Sequence, residues 1–164
     1  MKYIKLVVKG SADETCRVVH GRGRSLLGDE LVIRMILGLG LVLEAGYGGM
    51  NLVAPEIFSG VSGLVAENPE GTAEIRATLG GIHLGIGALL GLALMNPALR
   101  PGALASGGFV FAGLVIGRLA GVVLDQAWGA FTRGALMYDT VVTGLFVAGF
   151  LRDARDTRER GVEE

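Results

Sequence analysis

Along this chain, long apolar stretches alternate with short polar connections, and four of the stretches stand out. Each falls within the ~17–25 residues that a helix needs to cross the hydrocarbon core of a bilayer. The four stretches are Leu31–Ala54, Ala73–Met95, Gly102–Leu124 and Ala135–Leu151. The sequence therefore predicts an all-α protein built as a bundle of four transmembrane helices.

A soluble four-helix bundle is the main alternative for this pattern. Its helices would need a polar stripe on the outer face, because that face meets water. The runs Leu84–Met95 and Phe109–Ile116 contain no such stripe, which favours the membrane interpretation. A cleavable signal peptide is also disfavoured for the first stretch, since the mostly polar segment Met1–Glu30 precedes it.

The connection between the first two stretches has an apolar pattern of its own. Its apolar residues recur at helical spacing after Pro55, a residue that suits a first helical turn. They are Ile57, Phe58, Val61, Leu64 and Val65. We expect a short interfacial helix here, which either lies at the membrane surface or caps the bundle. Packing is favoured over a role as a lid.

The pattern divides the chain into three parts. Residues 1–30 form an N-terminal extension, 31–151 the transmembrane domain, and 152–164 a C-terminal tail. Within the extension, Met1–Lys9 has the pattern of a short strand and His20–Ser25 that of a basic loop.

Composition narrows the classes of function. The 164 residues are 51% hydrophobic with a formal net charge of −1, and no dense Lys/Arg surface is interleaved with aromatic residues. This balance argues against nucleic-acid binding. The single cysteine, Cys16, cannot form an internal disulfide or a thiolate metal cluster.

The positions of Lys and Arg predict the orientation. Both terminal parts are rich in these residues and Arg100 lies in the middle connection, whereas the connection 51–72 has none. By the positive-inside rule, both termini are cytoplasmic. The expected location is a bacterial cytoplasmic (inner) membrane, with the connections 51–72 and 125–134 outside.

Ionisable residues within the apolar stretches are the candidates for function, because a charge near mid-bilayer costs about 2.5–3.5 kcal/mol. Arg34 lies only one turn inside the cytoplasmic end of the first stretch and can extend to the headgroups. At ~1.5 Å per helical residue, the others all fall in the outer half of the membrane. This predicted polar layer consists of Glu44, Glu74, Arg76, His83, Arg118, Asp125 and Asp139. Residues seven apart, such as Arg76 and His83, are expected to share one helix face.

Two interpretations of the polar layer stay open. In the first, Arg118 pairs with Asp139, Arg76 pairs with Glu44 or Glu74, and the pairs fix the helix register. In the second, the layer lines a pocket open to the outer face, where a polar headgroup, a small anion or a proton binds. Hydroxyl side chains occur in no nucleophile-elbow pattern, so no catalytic residues are predicted. The one intramembrane histidine, without cysteine nearby, predicts no metal and no cofactor.

Glycines in the spans are spaced for close contact between helices. On the second span these are Gly81 with Gly85 and Gly87 with Gly91, and on the third they are Gly113, Gly117 and Gly121. Small residues four apart let helix backbones approach closely in membranes. Packing inside one bundle is favoured over a dimer surface.

Several of these residues carry a resemblance to a known family. They are Glu74-Ile75-Arg76, Gly80-Gly81-Ile82-His83-Leu84-Gly85, Arg118-Leu119-Ala120-Gly121 leading to Asp125, and the acid Asp139 early in the fourth span. The chain resembles, over about Leu31–Leu151, a family of small bacterial integral membrane proteins known as a domain of unknown function with DoxX-like architecture. That family usually has Glu where this chain has Asp139, and Gly where it has Gln126. The resemblance implies the four-helix membrane fold and no particular activity.

Three hypotheses of function follow. The favoured one is a binding or accessory subunit, not an enzyme, whose polar layer holds a lipid, a quinone or a similar amphiphile. The alternative is a proton-coupled small-molecule exporter that acts as a homodimer, with Glu44 as the protonated carboxylate. A membrane oxidoreductase subunit rests on the DoxX-like analogy alone. The expected partners are membrane lipids and a second copy or another membrane protein.

Overall fold

The protein is helical, apart from short connections, in the residues that the computed structural model describes. These are residues 12–160 for the backbone and 28–158, apart from 59 and 156, for the side chains. The helices are α1 (Ala12–Val53), α2 (Pro55–Ser62), α3 (Pro69–Ile75), α4 (Ile82–Met95), α5 (Arg100–Leu124) and α6 (Ala130–Arg160). A π-helical turn, Arg76–Gly81, joins α3 to α4, and a 3-10 turn, Pro97–Leu99, leads into α5.

Four helical segments are long and apolar enough to cross a membrane. They are Gly28–Val53, Pro69–Met95, Pro97–Leu124 and Ala130–Arg155. Each contains or closely overlaps one of the four predicted stretches, which confirms the predicted fold of a four-helix membrane protein. The short α2 occurs in the first long connection, where a short helix was expected.

Prolines and asparagines mark where the helices begin. All four prolines of the chain lie in the first turn of a helical segment, where the missing N–H leaves no backbone acceptor unpaired. The Asn68 side chain accepts a hydrogen bond from the Gly71 N–H at 2.8 Å, and the Asn96 side chain accepts one from the Ala98 N–H at 3.1 Å. These side chains cap the helix ends that the connections expose.

The first helix begins well before the first apolar stretch. His20–Ser25 lies inside α1, so the loop predicted there is wrong. No proline interrupts residues 12–53. The backbone hydrogen bonds of the first span can therefore continue toward the N-terminus as far as Ala12, although glycines occur there. Met1–Lys9, expected as a strand, lies outside the described residues.

The turn after α5 shows a backbone feature that glycine usually supplies. Gln126 has a φ of 53°, in the left-handed region that favours glycine. The next residue, Ala127, donates its N–H to the carbonyl of Gly121 at 3.2 Å and so closes the end of α5. A glycine at this position would adopt the same conformation without the steric cost that the Gln126 side chain imposes.

The helices pack as two antiparallel pairs. Helix α1 lies mainly against α4, and α5 lies mainly against α6. The buried core is concentrated at the end of the bundle where α4 connects to α5. It contains Ile33, Leu37, Ile86, Leu90, Ala93, Ala103, Leu104, Phe111, Val142 and Phe146. The other end of the bundle, beneath α2, contains a cavity.

Glycines permit close helix contacts, though mostly not at the predicted positions. A Cβ at Gly48 would lie 2.7 Å from the Leu84 backbone nitrogen, and one at Gly87 would lie 3.1 Å from that of Ala45. In contrast, a Cβ at Gly113 or Gly117 would meet nothing within 4 Å. The predicted groove on the third span is therefore not an interface within the bundle, because it points away from the other helices.

The outer surface is apolar along the spans. Phe109 is 80% exposed and Val123 76% exposed, as expected for side chains that face lipid. At the end of the bundle opposite the cavity, Arg100 is buried and forms a two-pronged ion pair with Glu30, with N···O distances of 2.6 and 2.9 Å. Glu30 also contacts Arg34 at 2.6 Å, so one carboxylate ties α1 to the start of α5.

Candidate functional site

A cavity of about 650 Å³ lies between the two helix pairs, beneath α2. Side chains from α1, α2, α5, α6, the π-helical turn and α4 line it. Its volume is within the range of ~300–1,000 Å³ that is typical of sites for small molecules. Most of the lining is apolar, and four ionisable side chains interrupt it: Glu44, His83, Arg118 and Asp139.

Glu44 and His83 form a hydrogen-bonded couple between α1 and α4. The Nδ1 atom of His83 lies 2.6 Å from Oε2 of Glu44, and both residues are buried, with exposures of 8% and 2%. The Tyr47 ring contacts the His83 ring edge to face, with the ring centroids 4.6 Å apart. A carboxylate that holds Nδ1–H leaves Nε2 as the acceptor when the ring is neutral. Among the described residues, no hydrogen-bond partner of Nε2 occurs.

The close approach of two helix backbones brings this couple together. The Cβ that a larger residue would add at Gly48 has no room against Leu84 and Gly80 of the facing helix. With glycine there, α1 and α4 touch one turn away from Glu44 and one residue away from His83. The short distance between the helices lets a Glu side chain reach an imidazole directly.

Arg118 and Asp139 form an ion pair between α5 and α6. The Nε atom of Arg118 donates to Oδ2 of Asp139 at 2.5 Å, and Asp139 is only 2% exposed. The Arg118 guanidinium also lies over the Phe131 ring, 5.7 Å from its centroid. This ion pair is the one predicted by the first interpretation of the polar layer, in which ion pairs fix the helix register.

Aromatic rings form the wall on the side of α2. Phe58 contacts Tyr47 and Phe131 edge to face, with centroid distances of 5.3 and 5.7 Å. Deeper in the bundle, Phe111 contacts Tyr138 with a centroid distance of 6.0 Å. Because Phe58 belongs to α2, the short helix covers the cavity with its apolar face.

The other three residues of the predicted polar layer do not line the cavity. Glu74 and Asp125 are exposed. Arg76 is exposed as well, and its Nε atom donates to the backbone carbonyl of Leu52 at 3.0 Å. The expected pairing of Arg76 with Glu44 is therefore wrong, since Glu44 contacts His83 instead, and no ion pair of Arg76 with Glu74 occurs among the described residues.

The π-helical turn gives the physical reason for this correction. A π-helical turn holds one residue more than an α-helical turn, which changes the direction of the following side chains by about 100°. The turn Arg76–Gly81 stands between Arg76 and His83. As a result, His83 points into the bundle while Arg76 points outward, although seven residues separate them.

The sequence pattern does not indicate that aromatic residues belong to the site. The sequence predicts Phe58 on the apolar face of the short helix, and nothing else in the sequence indicates where its side chain lies. Tyr138 directly precedes Asp139, but adjacent helical residues point about 100° apart, so nothing in the sequence predicted that both reach one cavity. Among the described residues, no three His, Cys, Asp or Glu side chains come together to hold a metal ion.

Comparisons with known proteins give a family and no activity. No curated protein and no solved structure is significantly similar to this chain. A family model, described as a domain of unknown function (DUF4345), matches residues 32–150. The match covers all four spans almost completely and includes every ionisable residue that lines the cavity. The DoxX-like architecture and the bacterial origin of this chain stay predictions. On the extent of this match, the chain belongs to the family with the DUF4345 domain.

Proposed function

We propose that this protein is a small multi-pass membrane protein that binds an amphiphile, such as a lipid or a quinone, in the cavity beneath α2. The cavity is the observation that supports this function. It combines a volume of about 650 Å³ with a mostly apolar lining and a few hydrogen-bonding groups. That combination suits a ligand with an apolar body and a polar head.

The proposed setting follows the orientation predicted from the sequence. With both termini in the cytoplasm of a bacterial cell, the cavity opens toward the outer face of the cytoplasmic membrane. The protein acts there as a binding or accessory subunit, alone, with a second copy or with another membrane protein. The amphiphile is drawn from the surrounding lipid or delivered from the outer side.

A cavity-filling substitution tests the proposal. Ala135 lines the cavity, and Ala120 lies exposed on α5 away from it. We expect Ala135→Trp to weaken binding of the neutral fluorescent amphiphile 1-aminoanthracene by at least about tenfold, because the indole occupies the volume of the ligand. Ala120→Trp adds the same side chain on the lipid-facing surface and should leave the affinity unchanged. Equal binding by both variants would show that the ligand does not bind in the cavity.

The proton-coupled exporter remains the second candidate, and one observation favours it. Glu44 lies in the cavity and shares a hydrogen bond with His83, so a proton held by this couple is close to the proposed ligand. An exporter should release protons into the cytoplasm when it moves a ligand outward. Reconstituted vesicles with a pH-sensitive dye test this directly, since a binding subunit moves no protons across the membrane.

A further inference from the structure

The fixed charges of the cavity do not balance. The Arg118 guanidinium is neutralised by Asp139, which lies 2.5 Å from it. Among the described residues, the Glu44 carboxylate has only His83 as an ion-pair partner. A histidine supplies a positive charge only when it carries a second proton. The four ionisable groups therefore carry one excess negative charge when Glu44 is ionised and His83 is neutral.

Among the described residues around the couple, Arg118 supplies the only positive charge, and Asp139 pairs with it. Helix α1 contributes Tyr47, α5 contributes Arg118, and α6 contributes Tyr138 and Asp139. Helix α2 adds only Phe58 and Ser62 to the lining, and the π-helical turn adds only Leu79. An uncompensated charge in an apolar, buried site is costly, and the charges of the four ionisable groups sum to zero only with one proton on the Glu44–His83 couple.

The aromatic lining offers an alternative to that proton. Aromatic faces attract organic cations, with about 0.5–2 kcal/mol for each favourable contact. Tyr47, Phe58 and Tyr138 line the same cavity as the Glu44 carboxylate, whereas the Phe131 ring already contacts the Arg118 guanidinium. An amphiphilic cation in the cavity would meet both the rings and the excess negative charge.

From the charge balance and the aromatic lining, we propose that the ligand of this cavity is a lipophilic organic cation, which displaces one proton from the Glu44–His83 couple. This inference rests on the proposed function, because it assigns a charge to the proposed amphiphile. The displaced proton passes to water, and no covalent bond to the ligand forms. Cation and proton thus compete for one site.

A pair of probes that differ mainly in the sign of their charge tests the proposal. Tetraphenylphosphonium and tetraphenylborate have nearly the same shape and opposite charge. With the full chain in detergent, calorimetry should show at least about tenfold tighter binding of the phosphonium. Its affinity should rise by up to about tenfold per pH unit while the couple is protonated, with about one proton released per cation. Equal affinities, or tighter binding of the borate, would overturn the proposal.

Variants at Glu44 locate the effect. Glu44→Gln removes the excess negative charge, so we expect phosphonium affinity to fall by at least about tenfold and to lose its pH dependence. Glu44→Asp keeps the charge and should keep the preference for the cation. Glu67→Gln, at an exposed position in the connection before α3, is the matched control and should bind as the unaltered protein does. Unchanged phosphonium binding by Glu44→Gln would contradict the inference.

The neutral probe separates failure of the inference from failure of the proposed function. If Glu44→Gln still binds 1-aminoanthracene, its cavity is folded, and a loss of phosphonium binding reports charge alone. If the unaltered protein binds 1-aminoanthracene in a manner sensitive to Ala135→Trp but does not bind phosphonium, the cavity binds an amphiphile and the inferred cation is wrong. If neither probe responds to Ala135→Trp, both the function and the inference fail.

Discussion

Arg118 and Asp139 meet where two neighbouring helices lie in the apolar part of the bundle. Asp139 is almost completely buried, and the guanidinium of Arg118 is its only ion-pair partner in the described part of the chain. Each charge compensates the other in a region where water is scarce, so loss of one leaves the other exposed to a large desolvation cost.

We expect strong coupling between these two residues. Arg118→Ala or Asp139→Ala alone should destabilise the protein by on the order of 3 kcal/mol, because the remaining charge is buried without a partner. The double substitution should cost less than the sum, with a coupling of about 0.5–3 kcal/mol. Thermal unfolding in detergent measures all three variants.

Asp125 supplies the control for this cycle. It lies on α5's end toward the cavity, is exposed, and forms no ion pair with Arg118 among the described residues. Arg118→Ala and Asp125→Ala should therefore be additive. Additive losses for Arg118 with Asp139, together with coupling to Asp125, would contradict the observed pair.

The contact between helix α1 and the helical segment that contains α4 sets the geometry of the site. Gly48 and Gly80 remove side chains where the backbones touch, and the π-helical turn aims His83 at Glu44. Neither feature contacts a ligand, yet both determine which side chains face the cavity. Helix α2 then covers that cavity through Phe58.

Two glycines on one helix test the importance of this contact. Gly48→Ala should destabilise the protein by about 1–3 kcal/mol, because its Cβ would lie 2.7–2.8 Å from the backbone atoms Leu84 N and Gly80 O, which cannot rotate away. Gly46→Ala is the matched control, since a Cβ there meets nothing within 4 Å. Its stability should change by no more than about 1 kcal/mol, the difference in helix propensity.

Unfolding in detergent compares the two alanine variants. If Gly48→Ala is as stable as Gly46→Ala, the two backbones are not held at the observed separation. Gly48→Ala should also weaken binding of 1-aminoanthracene if the proposed function is right, because a shift of α1 moves Glu44 relative to His83.

The two ends of the bundle differ. One end has the packed core and the Glu30–Arg100 ion pair, and the other has the cavity with its two pairs of ionisable residues. The exposed surface between the ends is apolar, as a lipid-facing surface must be. The distribution of Lys and Arg predicts that the packed end faces the cytoplasm.

Single cysteines test this orientation. In a Cys16→Ser background, Glu67→Cys lies in the connection on the cavity side, and Arg158→Cys lies near the end of α6 on the other side; both positions are exposed. A membrane-impermeant maleimide added to intact cells should label position 67, and it should label position 158 only after the membrane is permeabilised. The opposite result would place the cavity on the cytoplasmic side.

The four spans, their order and the polar residues within them were predictable from the sequence. A helix that crosses the hydrocarbon layer must be long and apolar, and an ionisable residue within it is therefore easy to recognise. Both features can be identified within a single segment of the sequence. The pairing of Arg118 with Asp139 could also be predicted from the sequence, because a short connection makes α5 and α6 antiparallel neighbours. The sequence did not determine which residues face one another between helices distant in the chain. Glu44 meets His83, and Arg76 turns outward, because a π-helical turn and one close glycine contact set the rotation of a whole helix. The cavity and the set of ionisable residues that line it depend on that rotation, which only the tertiary structure decides.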